Sequence, residues 1–172
     1  MQWLIDFITN PILLAGISAW LLAQIAKFII YAIVNKTFDI HRLHGDGGMP
    51  SGHSATVGAL AMMCGLRCGF GSPEFAITFI LATVVCHDAM NVRLESGKHA
   101  EILNDLVEWF NDTMKVGFTE EKLKEFLGHT KLQVYVGVLL GALNALLFHF
   151  VIFPIYKHDT GLFDSGLFCA NS

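Results

Sequence analysis

Long apolar stretches alternate with short polar ones along this chain, and their lengths set the first expectation. The hydrocarbon core of a bilayer needs about 20 mostly apolar residues per helix. Four segments approach that length. The first runs from Pro11 to Val34, with Asn10 as a cap and a proline where the first helical turn tolerates one. The second runs from about His53 to Phe70. The third opens on Ser72-Pro73-Glu74, another cap-plus-proline start, and continues to about Met90. The fourth runs from Leu132 to Ile155.

Between the third and fourth lies the long polar region, Asn91 to Thr130. Within it, Gly97 to Phe110 sets Leu103, Leu106, Val107 and Phe110 at helical spacing, opposite Glu101, Asp105 and Glu108. That spacing predicts an amphipathic helix lying on the protein or at the membrane interface. A second short helix is expected from Thr119 to Leu127. The pattern therefore predicts an all-α integral membrane helical bundle. It has about four transmembrane helices, with amphipathic helices in the 91–130 region, in one domain over residues 1–172. No role is assigned to the polar tail, 156–172.

Composition strengthens the membrane reading. Apolar residues make up 53% of the 172 and charged ones 15%, with a mean hydropathy of +0.53; soluble domains carry roughly 25% charged residues. The net charge of −4 leaves no basic footprint for nucleic acid. Cys64, Cys68, Cys86 and Cys169 form no CxxC pair or zinc spacing, and Cys64 and Cys68, one turn apart, read as packing residues. The first apolar stretch has no basic leader or small-residue cleavage site, so it is expected to remain as a membrane helix.

Lysine and arginine counts set the orientation. Lys36, Arg42, Arg93, Lys98, Lys115, Lys122, Lys124 and Lys131 fall on one side, and Arg67 and Lys157 on the other. Both termini are then expected outside and both polar loops in the cytoplasm. On that cytoplasmic side, the second segment starts near His53, the third ends at His87 and Asp88, and the fourth starts after His129. A helix start offers unpaired N–H groups and a positive dipole end, which together bind anions. Ser51 and Gly52 suit such a site: a hydroxyl can cap or hold an anion, and glycine allows close approach. The implied ligand is a phosphate carried by a lipid.

Three ordered stretches carry a family resemblance: GGMPSGHSA (47–55), HDAMNVRLESGKHAEILN (87–104) and LKEFLGHTKLQVYVG (123–137). They resemble the divergent branch of the type 2 phosphatidic acid phosphatase (PAP2) superfamily, which also includes vanadium-dependent haloperoxidases. The likeness covers about residues 20 to 140. It implies a membrane phosphatase acting on a lipid phosphate or pyrophosphate through a phosphohistidine, without metal or cofactor. By that resemblance His129 is the nucleophile, His53 the general acid, and Ser51 and the Gly52 N–H bind phosphate. Lys27, Arg42, Arg93 and Lys124 would supply the cations, and Asp88 and Gln133 would orient or support. Implied partners are a phospholipid or polyprenyl phosphate substrate and the surrounding lipids. Four spans are few for enclosing a polar pocket, which makes a homodimer an expectation as well.

The chain departs from the superfamily pattern in three places. Its first motif is Lys36-x5-Arg42 with no following proline, and Lys27 competes for the lysine role. The arginine six residues before the third-motif histidine is replaced by Leu123, with Lys122 and Lys124 beside it. Gln133 stands where an aspartate is usual, so the ring is oriented by a neutral group. Other readings remain open at this stage. Thr130 and Gln133 fit a capping box, and Asp88 with Arg93 fits a structural ion pair. The groups His41, His44, Asp46 and His87, Asp88, Glu101 hold ligand types for a metal, without a standard zinc spacing. A catalytically silent lipid-phosphate binder is the alternative function.

Overall fold

A computed structural model describes residues 2–36, 48–114, 123 and 128–155. Arg42, Lys124, the His41/His44/Asp46 group and the tail lie outside the described residues, as does the short helix expected over 119–127 apart from Leu123. The described chain is helical, with no strand: α1 (Gln2–Ile8), α2 (Pro11–Asn35), α3 (Gly52–Cys68), α4 (Pro73–Met90), α5 (Val92–Met114) and α6 (Lys131–Leu147). A π-helical turn, Phe148–Ile152, follows α6.

Caps fix where the helices begin. The Asn10 side chain accepts from the N–H groups of Ile12 and Leu13, Ser51 from Ser54, Ser72 from Phe75 and Thr130 from Gln133. Each satisfies a donor that a helix start leaves without an intrahelical partner. α1 was not expected; it is short, and Trp3, Phe7 and Ile8 are exposed. α5 starts five residues earlier than expected, because only Asn91 separates it from α4. The N–H and side-chain amide of Asn91 both return to the His87 carbonyl.

The core is built from small residues. Ala15, Ala19 and Ala23 form a stripe on α2, and with Ala55, Ala59, Met63 and Ala145 they are wholly buried. α3 occupies the centre, packed against α2, α4 and α6. A Cβ on Gly141 would collide with the Ala55 carbonyl oxygen, and one on Gly58 would stand 3.0 Å from that of Val138. α3 and α6 therefore touch backbone to backbone. In lipid, where apolar surface is not driven together, such close packing and interhelical hydrogen bonds hold helices. Buried Asn144 supplies one of these, donating from Nδ2 to the Ala15 carbonyl (3.0 Å) and to Ser18 Oγ (2.9 Å).

Large apolar side chains point outward instead. Ile25, Ile29 and Ile33 on α2, Ile77, Ile80 and Val84 on α4, and Leu132, Leu139 and Leu143 on α6 are all exposed. Such a surface suits lipid rather than water. Three helical stretches are long and apolar enough to cross a membrane: α2, α4 continued into α5, and α6 with its extension to Ile155. α3 is the fourth expected span. With 17 residues it rises about 26 Å against a core of about 30 Å, and its small residues serve burial in the bundle. The protein is thus an all-α membrane bundle with the least apolar of the four expected spans inside.

Cys68 is disulfide-bonded, which goes beyond the packing role expected of it, whereas Cys64 is a free, buried thiol. At the same end of α3 the Arg67 guanidinium lies 4.2 Å from the centre of the Phe153 ring. Along α5, Leu103, Leu106 and Val107 are left uncovered by the rest of the described chain. That fits a helix resting at the membrane interface.

Candidate functional site

The starts of α3 and α6 meet. These helices run parallel, and the Ser51 N–H donates to the Gln133 carbonyl at 3.1 Å. Gly137 makes the meeting close, because a Cβ there would stand 2.6 Å from the Ser51 carbonyl oxygen. Ser51 is fully buried, and its hydroxyl accepts from Ser54 Oγ at 2.9 Å. The Ser54 and Ala55 N–H groups are taken by Ser51 Oγ and Ser51 O. The N–H groups of Gly52 and His53 have no acceptor among the described residues. They form an open donor pair at a positive helix end.

His129 lies just before α6, only 4% exposed. Its N–H donates to the Ala89 carbonyl of α4 at 3.1 Å, and Gly128 is pressed against the backbone of Leu94 at the start of α5. The ring is held by Gln133: Nδ1 is 3.2 Å from Oε1. That oxygen also accepts the Thr130 N–H at 3.0 Å, closing the capping box. The bond to a backbone donor identifies the atom as oxygen, and an amide oxygen only accepts. Nδ1 then carries a proton, and in the neutral ring Nε2 is the nitrogen with the lone pair. Gln133 thus serves as cap and orienter at once; the two roles do not compete.

His53 occupies a different face of the first turn of α3. It is exposed and lines a groove of about 380 Å³ with Ile17, Trp20, Thr56, Val57 and Val85. Val85 and Ala89 are one turn apart on α4, so the two histidines flank the same stretch of that helix.

The cations divide. Lys27 is buried on α2 with 8% of its surface exposed. Arg93 is exposed and bonded through Nε to Asp88 Oδ2 at 2.7 Å. Asp88 therefore supports Arg93, not a histidine, and the ion-pair reading describes its geometry. Arg42 and Lys124 belong to the undescribed residues. Among the described residues no three His, Cys, Asp or Glu side chains are grouped to hold a metal, His87, Asp88 and Glu101 included.

One residue escaped the sequence reading. Gln24 on α2 is 9% exposed, and its Nε2 lies 3.4 Å from where a Cβ on Gly52 would stand. The available signal was an amide within an otherwise apolar stretch, three residues before Lys27 and on the same helix face.

Fold and site together define a helical membrane protein in which two helix starts meet beside a buried histidine held by a glutamine. The chain belongs to the Divergent PAP2 family, whose model matches residues 8–144. It is 38% identical over 150 residues to an uncharacterized membrane protein of Bacillus subtilis, YuiD, the match covering 82% of this chain and 95% of that one. No solved structure matches the chain.

Proposed function

We propose that this protein is a membrane phosphatase that removes phosphate from a lipid phosphate or lipid pyrophosphate at the cytoplasmic surface. The observation that carries the reading is the His129–Gln133–Thr130 arrangement, in which a buried histidine beside two helix starts has its Nδ1 held 3.2 Å from Gln133 Oε1. Nε2 attacks phosphorus, the bond from phosphorus to the ester or bridging oxygen breaks, and the leaving oxygen takes a proton from the His53 imidazolium. Water, giving its proton back to His53, then attacks the phosphohistidine and releases inorganic phosphate. In this reading the Gly52 and His53 N–H groups, Ser51 and Lys27 would stabilise the phosphoryl oxygens as charge builds, with Arg42, Arg93 and Lys124 as further cations. The Gln133 oxygen orients the ring but contributes only a dipole to the cationic phosphohistidine. No metal or cofactor enters these steps.

The cytoplasmic placement rests on the distribution of lysine and arginine. The disulfide at Cys68, at the far end of α3, agrees with it, since disulfides persist outside the reducing cytosol.

Purified protein in detergent should release phosphate from at least one of polyprenyl, diacyl or lysophosphatidyl phosphates. Both His53→Ala and His129→Ala should abolish release. An inert wild type across that set refutes the proposal. The neutral Gln133 favours a second reading, a lipid-phosphate binder without turnover. Binding that persists in both histidine variants, with no release by the wild type, would establish it.

A further inference from the structure

Four hydrogen-bond donors converge where α2 passes the first turn of α3, and none has an acceptor among the described residues. Two are the Gly52 and His53 N–H groups. The other two belong to α2: Gln24 Nε2 and Trp20 Nε1 stand 3.4 and 3.6 Å from where a Cβ on Gly52 would sit. A Cβ lies about 2.5 Å from its own residue's nitrogen, which puts both side-chain donors within about 6 Å of the Gly52 N–H. Only glycine leaves room for this, since Trp20 Cδ1 is already 3.3 Å from the same point.

Gln24 is the costliest of the four to leave open. It is nine-tenths buried, and neither end of its amide is hydrogen-bonded among the described residues; natural structures pair nearly all such groups. The end that faces α3 is the donor. Donors that face one another are stable only with an acceptor between them, and the positive end of a helix favours a negatively charged one. An oxyanion meets both conditions, because its several oxygens can each take a different donor. Trp20 is 40% exposed and with His53 lines the groove between α2, α3 and α4, so a ligand reaches the donors from that side.

We propose that Gln24 and Trp20 are substrate-binding residues that donate hydrogen bonds, from Nε2 and Nε1, to the oxygens of a phosphate seated on the first turn of α3. This rests on the phosphate site of the preceding reading. It adds two uncharged donors from α2 to that site.

The test measures binding of inorganic phosphate and of a lysophosphatidate to the full-length protein in detergent, by calorimetry, alongside melting temperature. Gln24→Leu and Trp20→Phe should each weaken inorganic phosphate by about tenfold, the loss expected for a hydrogen bond to a charged group. The ligand-free melting temperature should stay near wild type or rise. Lysophosphatidate should weaken by the same factor; a loss confined to it would assign both residues to the lipid chain and overturn the proposal. Packing residues alone would lower the melting temperature and leave affinity intact. A direct readout comes from Trp3→Phe/Trp109→Phe, which keeps Trp20 as the single tryptophan. Its emission should shift on adding phosphate. Should Gln24→Leu not fold, Gln24→Glu keeps the size and replaces the donor with a repelling carboxylate, and should abolish phosphate binding at neutral pH. The proposal is overturned if wild type binds no phosphate, if either variant keeps the wild-type affinity, or if Trp20 emission does not respond. Turnover separates the two readings. Absence of phosphate release with affinity that depends on Gln24 and Trp20 sinks the phosphatase alone; release with wild-type affinity in the variants sinks this proposal alone.

Discussion

Replacing Gly137 by alanine adds one methyl group where α6 passes the start of α3. Its Cβ would stand 2.6 Å from the Ser51 carbonyl oxygen, 3.1 Å from Ser54 Cβ and 3.3 Å from the Ser51 nitrogen. Ordinary contact begins near 3.4 Å, so α3 must retreat by about 0.8 Å, and two of these three atoms are backbone that cannot swing aside. A retreat of that size along the same line takes Ser51 N from 3.1 Å to beyond hydrogen-bonding distance of the Gln133 carbonyl. Overpacking costs about 1–3 kcal/mol, and the lost hydrogen bond about 1 kcal/mol. The gain in helix propensity returns about 1 kcal/mol. The net is a loss of about 2 kcal/mol, or a melting temperature lower by about 4–8 °C. Phosphate release should fall with it, because the same shift separates Ser51 and Gly52 from His129. Gly16→Ala is the control. There the nearest atoms are Cδ2 and Cγ of Leu60, at 3.0 and 3.1 Å, on a side chain that can turn. It should leave both readouts near wild type. Thermal unfolding in detergent, monitored by tryptophan fluorescence, and a phosphate-release assay supply the two measurements. If Gly137→Ala melts and turns over like wild type, the backbone contact does not position the site.

Gln133→Leu removes the acceptor for Thr130 N–H and His129 Nδ1; kcat should drop about 10²-fold or more with a smaller change in KM. Gln133→Glu keeps both bonds and adds a charge that stabilises an imidazolium and the start of α6. It should raise kcat and melting temperature together, and a fall in kcat would argue against the assigned role of His129. Asn144→Leu breaks the tie between α6 and α2 far from the histidines, costing about 1 kcal/mol with kcat unchanged. Arg93→Gln should raise KM several-fold while shifting stability by less than about 1 kcal/mol, since its pair with Asp88 is exposed; an unchanged KM removes Arg93 from the phosphate site.

The sequence by itself determined the class and the helix starts. Runs of apolar residues long enough for a bilayer, opened by Asn10, Ser72-Pro73 and Thr130, place α2, α4 and α6 to within a residue or two, because caps and spans are local properties of the chain. The three motif stretches equally announced the family. Tertiary structure alone decided the rest. That α3 is a central, buried helix follows from glycine and alanine contacts across helices, which the apolar pattern of one segment does not encode. That α5 starts at Val92 depends on Asn91 returning its hydrogen bonds to His87. Gln133 was legible as either cap or orienter, and only the position of the His129 ring shows one oxygen doing both. Gln24 passed unnoticed because an amide in an apolar helix acquires meaning only from what packs against it. Here that is the side-chain-free first turn of α3, brought beside it by the antiparallel packing of two helices. Hydrophobic periodicity records which residues avoid water; it does not record which polar groups meet once water is gone.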